Sequence, residues 1–461
     1  MNRRDFIKKT MLASAAVGTT EVARATDWLG QASEPSSVPA QENLQGRLIA
    51  SAPMLQNYAE TSIGIAFAVT SMANGFVVIG RQPDLSDGHK VFCGGHRLAD
   101  ISDQVLQVRI TGLLPATKYY YRIGADRIEY KGGYSMKNLG TEEDTTIYSF
   151  TTAGAKARAH FCVINDTHAK WQPFGLAIEK IAQLAPSCVI WNGDASNVEE
   201  TMDALKLIYL NPDIERKDYA ARTPYLFCPG NHDFRGMANR HLERLWMYRQ
   251  PEERSTRDWD LGRNFAVRMG EVALIGLDTG EDKLDTNPLF AGIFKMTDYR
   301  KAQTEWLREA LQHHEIADAP FLVVCCHIPL YDPNPKHNPG DLAPDDKDPR
   351  YSPDFAEWQR TCATMWCPLL EQAGAQLIIT GHQHTYRYDK PTAGRPWAQI
   401  VGGGPEMGEY GGKKRPDKFP TVIEGEVREN ILNVSVHNLI SGNVQETFTF
   451  SPRKHAKAKK R

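Results

Sequence analysis

The spacing of apolar residues changes character near residue 155. Before it, Ile63, Ile65, Phe67 and Val69 alternate with small or polar residues, and Tyr119, Tyr121 and Ile123 do so again. A period of two buries one face of a strand. Residues 46–152 therefore predict a small all-β sandwich, with Val105 and Val108 on one strand and Tyr148 and Phe150 on the last. Beyond a junction at 153–158, short apolar runs alternate with segments whose apolar residues recur every three or four positions. The runs at 160–165, 187–192, 225–228, 321–326 and 376–380 predict strands. Residues 174–185 predict a helix with Phe174, Ile178, Ile181 and Leu184 on one face, and 299–314 a second with Trp306 and Leu307 inward. Hairpins are expected around Gly270 and around Ser441-Gly442-Asn443. Such alternation predicts an α/β core over residues 158–452.

The two ends read differently. Arg3, Arg4, Phe6 and Lys8 precede a mildly apolar stretch and then Ala23-Arg24-Ala25. Residues 1–25 resemble a twin-arginine export signal, so a periplasmic or secreted protein is expected, with a linker at 26–45. No apolar run reaches the roughly 18 residues of a membrane helix. Residues 1–25 carry five Lys/Arg and two Asp/Glu, and the tail at 453–461 six Lys/Arg and no acid. Taking these surpluses of three and six from the net charge of −2 leaves −11 on the body. That balance argues against general nucleic-acid binding. The tail is expected to be solvated. The eight cysteines mostly sit in apolar runs with no CxxC pair, so few or no disulfides and no cysteine zinc site are expected.

Five clusters follow apolar strands directly: Asp166-Thr167-His168, Gly193-Asp194, Gly230-Asn231-His232-Asp233, Cys326-His327 and Gly381-His382-Gln383-His384. The carboxyl ends of strands form the ligand crevice of an α/β sheet. Any one cluster alone reads as a turn, a cap or a structural histidine. Five in the same placement, all of ligand-type residues, read as a metal centre. Imidazole mixed with carboxylate suits Zn, Mn, Fe, Ni or Cu better than Mg or Ca. The ligands are too many for one tetrahedral ion and suit two ions that share a carboxylate.

This ordered set resembles the calcineurin-like metallophosphoesterases. The Leu113-x-Pro115-x-Thr117-x-Tyr119 run resembles the tyrosine corner of fibronectin type III domains, and a leading domain of that kind points to the purple acid phosphatase branch. The resemblance implies a four-layer α/β/β/α sandwich with the metals at its loop edge. It implies that Asp166, His168 and His384 bind one ion, that Asn231, His327 and His382 bind the other, and that Asp194 bridges them. His232 would face the substrate and give a proton or hydrogen bond to the leaving oxygen, with Asp233 placed to orient its ring. The implied reaction is hydrolysis of a small-molecule phosphomonoester by a hydroxide bridging the metals. A phosphodiesterase and a non-catalytic binding module are the alternatives; the sequence leaves oligomeric state open.

Two departures bear on the metals. The purple enzymes carry Asp-x-Gly where this chain has Asp166-Thr167-His168, and a tyrosinate where it has Asn197. A ferric–tyrosinate pair is therefore not expected. Around the site, residues 331–353 read equally as a lid or a solvated loop. The run Gly402-Gly403-Gly404-Pro405 reads as a turn. Lys170, Trp171, Arg235 and Tyr386 lie close to ligands in sequence and carry no assigned role.

Overall fold

The computed structural model describes residues 46–93, 101–212, 214, 216–248, 259, 261–287, 292–333 and 353–454. The expected export signal and linker, most of the 331–353 loop and residues 455–461 of the tail lie outside them.

The first 100 described residues form eight strands: β1 (Met54–Gln56), β2 (Ser62–Ala68), β3 (Ala73–Gly80), β4 (His89–Phe92), β5 (Val105–Thr111), β6 (Lys118–Tyr130), β7 (Met136–Glu143) and β8 (Tyr148–Thr151). Next come β9 (His160–Ile164), helix α1 (Trp171–Leu184), β10 (Cys188–Asn192), α2 (Met202–Tyr209) and β11 (Tyr225–Cys228). The hairpin of β12 (Phe265–Met269) and β13 (Val272–Leu277) precedes α3 (Met296–Gln312), α4 (His314–Ala317) and β14 (Phe321–Cys326). After α5 (Pro353–Met365) and α6 (Cys367–Gln372) run β15 (Leu377–Thr380), β16 (Arg387–Asp389), β17 (Ala398–Val401), β18 (Glu409–Tyr410), β19 (Lys413–Lys414), β20 (Thr421–Arg428), β21 (Ile431–Asn438) and β22 (Val444–Phe450).

Two sheets stack at the centre. One has nine strands in the order β22-β21-β20-β9-β10-β11-β1-β2-β5, the other six in the order β12-β13-β14-β15-β17-β16. Their facing sides share Phe161, Val163, Ile190, Leu274, Val323 and Ile379, all fully buried. Helices α1 and α2 cover the outer face of the first sheet, and α3, α5 and α6 that of the second. These are the four layers α/β/β/α that the family resemblance implies. Pro173, Phe174, Ala177, Ile178 and Ile181 form the buried stripe of α1. Each large apolar side chain so buried stabilises by about 1.5–3 kcal/mol. Phe174 stacks on Trp191 of β10 with ring centroids 4.8 Å apart, which fixes α1 over the strand that carries Asp194 at its end.

The strands before the junction divide between two sheets. β3, β4, β6, β7 and β8 form a separate sheet, and an apolar layer of Phe67, Val77, Leu106, Val108, Tyr121 and Ile123 lies between it and β2 and β5. β1, in contrast, pairs in parallel with β11 through Gln56 and Tyr225, so strands from both sides of the junction belong to one sheet. The Tyr119 hydroxyl accepts a hydrogen bond from the Leu114 amide at 2.9 Å, five residues upstream. Period two along β2 implied one buried face, but all seven of its residues are buried: Ile63, Ile65 and Phe67 face the separate sheet, and Ala66 and Ala68 belong to the core under α1 and α2.

All eight cysteines are free thiols, and burial pushes Cys162, Cys188 and Cys325 well above the ordinary thiol range. The tail begins differently from expectation. Arg453 is half-buried: its guanidinium donates to the carbonyls of Ala317, Ala319 and Ala373, at or just beyond the ends of α4 and α6. A cation at helix carboxyl ends satisfies carbonyls that lack intrahelical partners. No helix among the described residues is long and apolar enough to cross a membrane.

Candidate metal centre

Five strands of the two central sheets end at one edge. The Asn192 side chain at the end of β10 donates to the carbonyls of Cys326 and Ile379, each at 3.2 Å, and so ties it to β14 and β15. The loops that follow leave their strands through unusual backbone. Asp166, His168, Asp194, His382 and His384 all have positive φ, between 45° and 68°. Left-handed backbone at non-glycine residues costs on the order of 1 kcal/mol each and persists where surrounding structure enforces it. Here the enforcement is visible. The His382 amide donates to the Asp166 carboxylate at 2.9 Å, and the His232 amide to Asp194 Oδ1 at 2.8 Å. Gly193 has φ +83°, and a Cβ there would collide with the ring of His327, so only glycine lets the imidazole pack against the turn.

The result is one cluster that brings together the seven expected ligands and His232. Asp166, His168 and His384 form a first group whose ligand atoms lie within 4.8 Å of one another; Asp194, His327 and His382 form another, and His168, Asp194 and His232 a third. His384 Nε2 lies 3.3 Å from Asp166 Oδ1 and 2.9 Å from His168 Nε2. Asp194 Oδ2 lies 3.1 Å from His327 Nε2 and 3.6 Å from His168 Nε2, so Asp194 stands between the two sides. Asn231 Oδ1 and His382 Nδ1 lie 3.0 Å apart. His232 packs edge-on to His168, with ring centroids 4.8 Å apart.

The far nitrogens show whether this set fits metal. A ligating imidazole holds its other nitrogen against an oxygen, which fixes ring and tautomer. His384 Nδ1 lies 2.7 Å from Glu406 Oε1, and His327 Nδ1 2.9 Å from the Asn192 carbonyl. His382 Nε2 faces Asp282 Oδ2 at 3.8 Å. Each ring therefore turns one nitrogen inward. His327 Nε2 is fully buried and faces the carboxylates of Asp194 and Asp166, at 3.1 and 3.7 Å, so its inward nitrogen shares one space with two acidic groups, as ligands around a cation do. The donor chemistry of the cluster suits transition-metal ions.

Three of these supporting groups were not found in the sequence. Glu406 lies 22 residues from His384 in an irregular loop, and Asp282 and Asn192 carry no motif. The glycine run read as a turn belongs to the same support: a Cβ on Gly404 would come within 2.6 Å of the His384 ring. One expectation is corrected. Asp233 does not orient His232; its carboxylate accepts from the Gly230 amide and from the amide and hydroxyl of Ser196, and so braces two loops. The group on the His232 ring is Arg235, at 3.2 Å. Replacing Glu406 by alanine is expected to weaken metal binding on the His384 side of the cluster by about 10–100-fold. A metal titration followed by the protein-bound metal content reads this directly; unchanged affinity at both sites would remove Glu406 from the support.

Charge within the cluster is balanced by protons when metal is absent. Burial opposes ionisation of Asp166 and Asp194, yet the surrounding histidines hold both carboxyls well below their usual range. Burial likewise opposes a charged His327, but Asp194 and Asp166 outweigh it and push this imidazole up to about 9. Asp166 and Glu406 push His384 up to about 10 in the same way. Burial wins at His382 and His232, which fall to about 4 and about 3.

Residues 159–386 match the model of the calcineurin-like phosphoesterase family. The chain carries a calcineurin-like phosphoesterase domain, a domain of metal-dependent hydrolases. Among solved structures, a purple acid phosphatase from yellow lupin seeds is similar over 87% of this chain and 75% of its own, with TM-score 0.57 and 13% identity. PhoD is similar over 87% of this chain and 90% of its own, with TM-score 0.59 and 12% identity. At such identities the likeness is one of fold. No curated protein matches the sequence.

Proposed function

We propose that the protein is an exported phosphoesterase with two metal ions, which hydrolyses phosphomonoesters. The observation that carries this reading is the convergence of Asp166, His168, Asp194, Asn231, His327, His382 and His384 on one strand edge, with His232 beside them. Asp166, His168 and His384 would hold one ion, Asn231, His327 and His382 the other, and Asp194 both. Mn, Zn and Fe suit these donors. When bound, the ions supply an activated water and neutralise charge on phosphoryl oxygens. The protein's own part is to hold the ligands at fixed spacing and to present His232 to the leaving oxygen. Asn231 ligates without adding negative charge, which favours an anionic substrate. The likeness of residues 1–25 to a twin-arginine signal supports export.

The test is turnover of p-nitrophenyl phosphate against bis(p-nitrophenyl) phosphate by the metal-loaded protein. Preference for the monoester is the expected result. Preference for the diester would make the protein a phosphodiesterase. Silence on both and on a panel of natural phosphate esters, with two ions bound, would refute the enzymatic reading.

A further inference from the structure

We infer that Arg235 is a positioning residue that decides which nitrogen of His232 offers a hydrogen to the departing oxygen. The inference rests on the hydrolase reading above. It starts from a clamp. The Arg235 guanidinium donates from Nε and Nη2 to the two oxygens of Glu281, at 2.9 and 2.6 Å, and from Nη2 to Asp282 Oδ1 at 2.8 Å. Glu281 is fully buried. A two-point bond between a planar guanidinium and a carboxylate fixes orientation as well as distance. The remaining terminal nitrogen, Nη1, then lies 3.2 Å from His232 Nε2.

A guanidinium carries donors only and does not lose its proton in a protein. His232 Nε2 must therefore accept, and the hydrogen of the neutral ring sits on Nδ1. A second hydrogen on Nε2 would set donor against donor. The independent observation is at the other nitrogen: Nδ1 is buried and has no hydrogen-bond partner among the described residues. A buried donor left unpaired is costly, so the ring is arranged to complete its bonding when an acceptor arrives. The acceptor of suitable chemistry is the bridging or leaving oxygen of a phosphate ester.

The chemistry this assigns to His232 is hydrogen-bond donation rather than proton transfer. As the phosphorus–oxygen bond breaks, its electron pair passes to the leaving oxygen. Nδ1–H stabilises the charge that develops there, solvent water supplies the proton, and the imidazole keeps its own. Asp282 joins this clamp to the metal side, since its other oxygen faces His382 Nε2 at 3.8 Å. Lysine in place of Arg235 would keep the charge and lose the planar fork.

The experiment compares two substrates with the metal-loaded protein: p-nitrophenyl phosphate, whose leaving group needs little help, and an alkyl phosphate, whose leaving group needs much. Arg235→Ala is expected to lower kcat on the alkyl ester about 100-fold and on the nitrophenyl ester less than about threefold, with KM little changed. Adding His232→Ala should cost nothing further on the alkyl ester, because both changes remove one interaction. Arg235→Lys should resemble alanine within about threefold. Equal losses on both substrates, multiplicative losses in the double variant, or full activity in Arg235→Lys would each overturn the inference. If Arg235→Ala does not fold, Arg235→Gln keeps one N–H donor and should show the same split at smaller amplitude; equal losses there overturn it too. Should His232→Ala itself show no dependence on leaving group, the hydrolase role of His232 fails. A leaving-group-dependent His232 beside an indifferent Arg235 removes this inference alone.

Discussion

Asp194→Ala is expected to release both metal ions and to lower turnover by roughly a thousandfold or more, on the order of 4 kcal/mol of transition-state stabilisation. No other single change should do as much, because Asp194 serves both sides of the cluster. Its Oδ2 lies 3.1 Å from His327 and 3.6 Å from His168, which belong to different groups. Its Oδ1 accepts the His232 amide and so also sets the loop that carries Asn231 and His232. Alanine removes a bridging ligand, a countercharge for His327 and a loop anchor together. Asp194→Asn separates these parts. It keeps an oxygen for the His232 amide and loses the charge, so the fold should hold while the ions leave. Metal analysis beside turnover on p-nitrophenyl phosphate checks both variants. Two ions and full activity in Asp194→Ala would end the two-metal account.

The second large effect should follow from the metals themselves. Chelation is expected to abolish turnover and to lower the melting temperature, and either Mn or Zn should restore both. At a free ion concentration about a thousandfold above Kd, each occupied site adds about 4 kcal/mol to folding stability. The strained turns at Asp166, His168, Asp194, His382 and His384 lie within the cluster, so an ion held there adds to the hydrogen bonds that already enforce them. The pH dependence has a definite sign. Without metal, His327 and His384 carry protons up to about 9 and about 10. Each must lose its proton to ligate, so binding releases protons and affinity falls as pH falls. Below those values, each proton displaced should weaken apparent affinity about tenfold per pH unit. Melting curves with and without chelator across a pH series test this. Identical curves at every pH would mean that no ion binds the folded state more tightly than the unfolded chain.

The residues of the cluster were legible in the sequence because each follows an apolar strand. Asp166 follows β9, Asp194 β10, Asn231 and His232 β11, His327 β14, and His382 and His384 β15. In an α/β sandwich that placement brings residues far apart in the chain to one edge. The α/β core was legible in the alternation of short apolar runs with segments of period three to four, whereas the four-layer arrangement came from the family resemblance carried by the five clusters. What supports the ligands was not. Glu406 reaches His384 from a glycine-rich loop, and Glu281 and Asp282 reach Arg235 across 46 and 47 residues. A single carboxylate in a loop carries no periodicity, and its partner depends on how two loops pass one another. Asp233 misled for a related reason: adjacency to His232 along the chain implied contact, whereas the tight turn points the two side chains apart. Strand β20 was also missed. Glu424, Gly425 and Glu426 interrupt its apolar pattern, and their acidity is explained only by the partners: Glu424 sits between His160 and His437, at 2.8 and 2.9 Å.

The parallel pairing of Gln56 with Tyr225 bears on how such a chain can be inherited. A segment tethered only by a linker can be exchanged as a cassette, because recombination at the linker breaks no hydrogen bonds. Here a crossover between residues 152 and 158 would cut a sheet in two. It would leave β11 with an open, apolar edge one strand away from the one that carries Asp194. The strands before the crossover and the loops after it are therefore bound to descend together, and substitutions along β1 and β11 should be tolerated mainly in matched pairs.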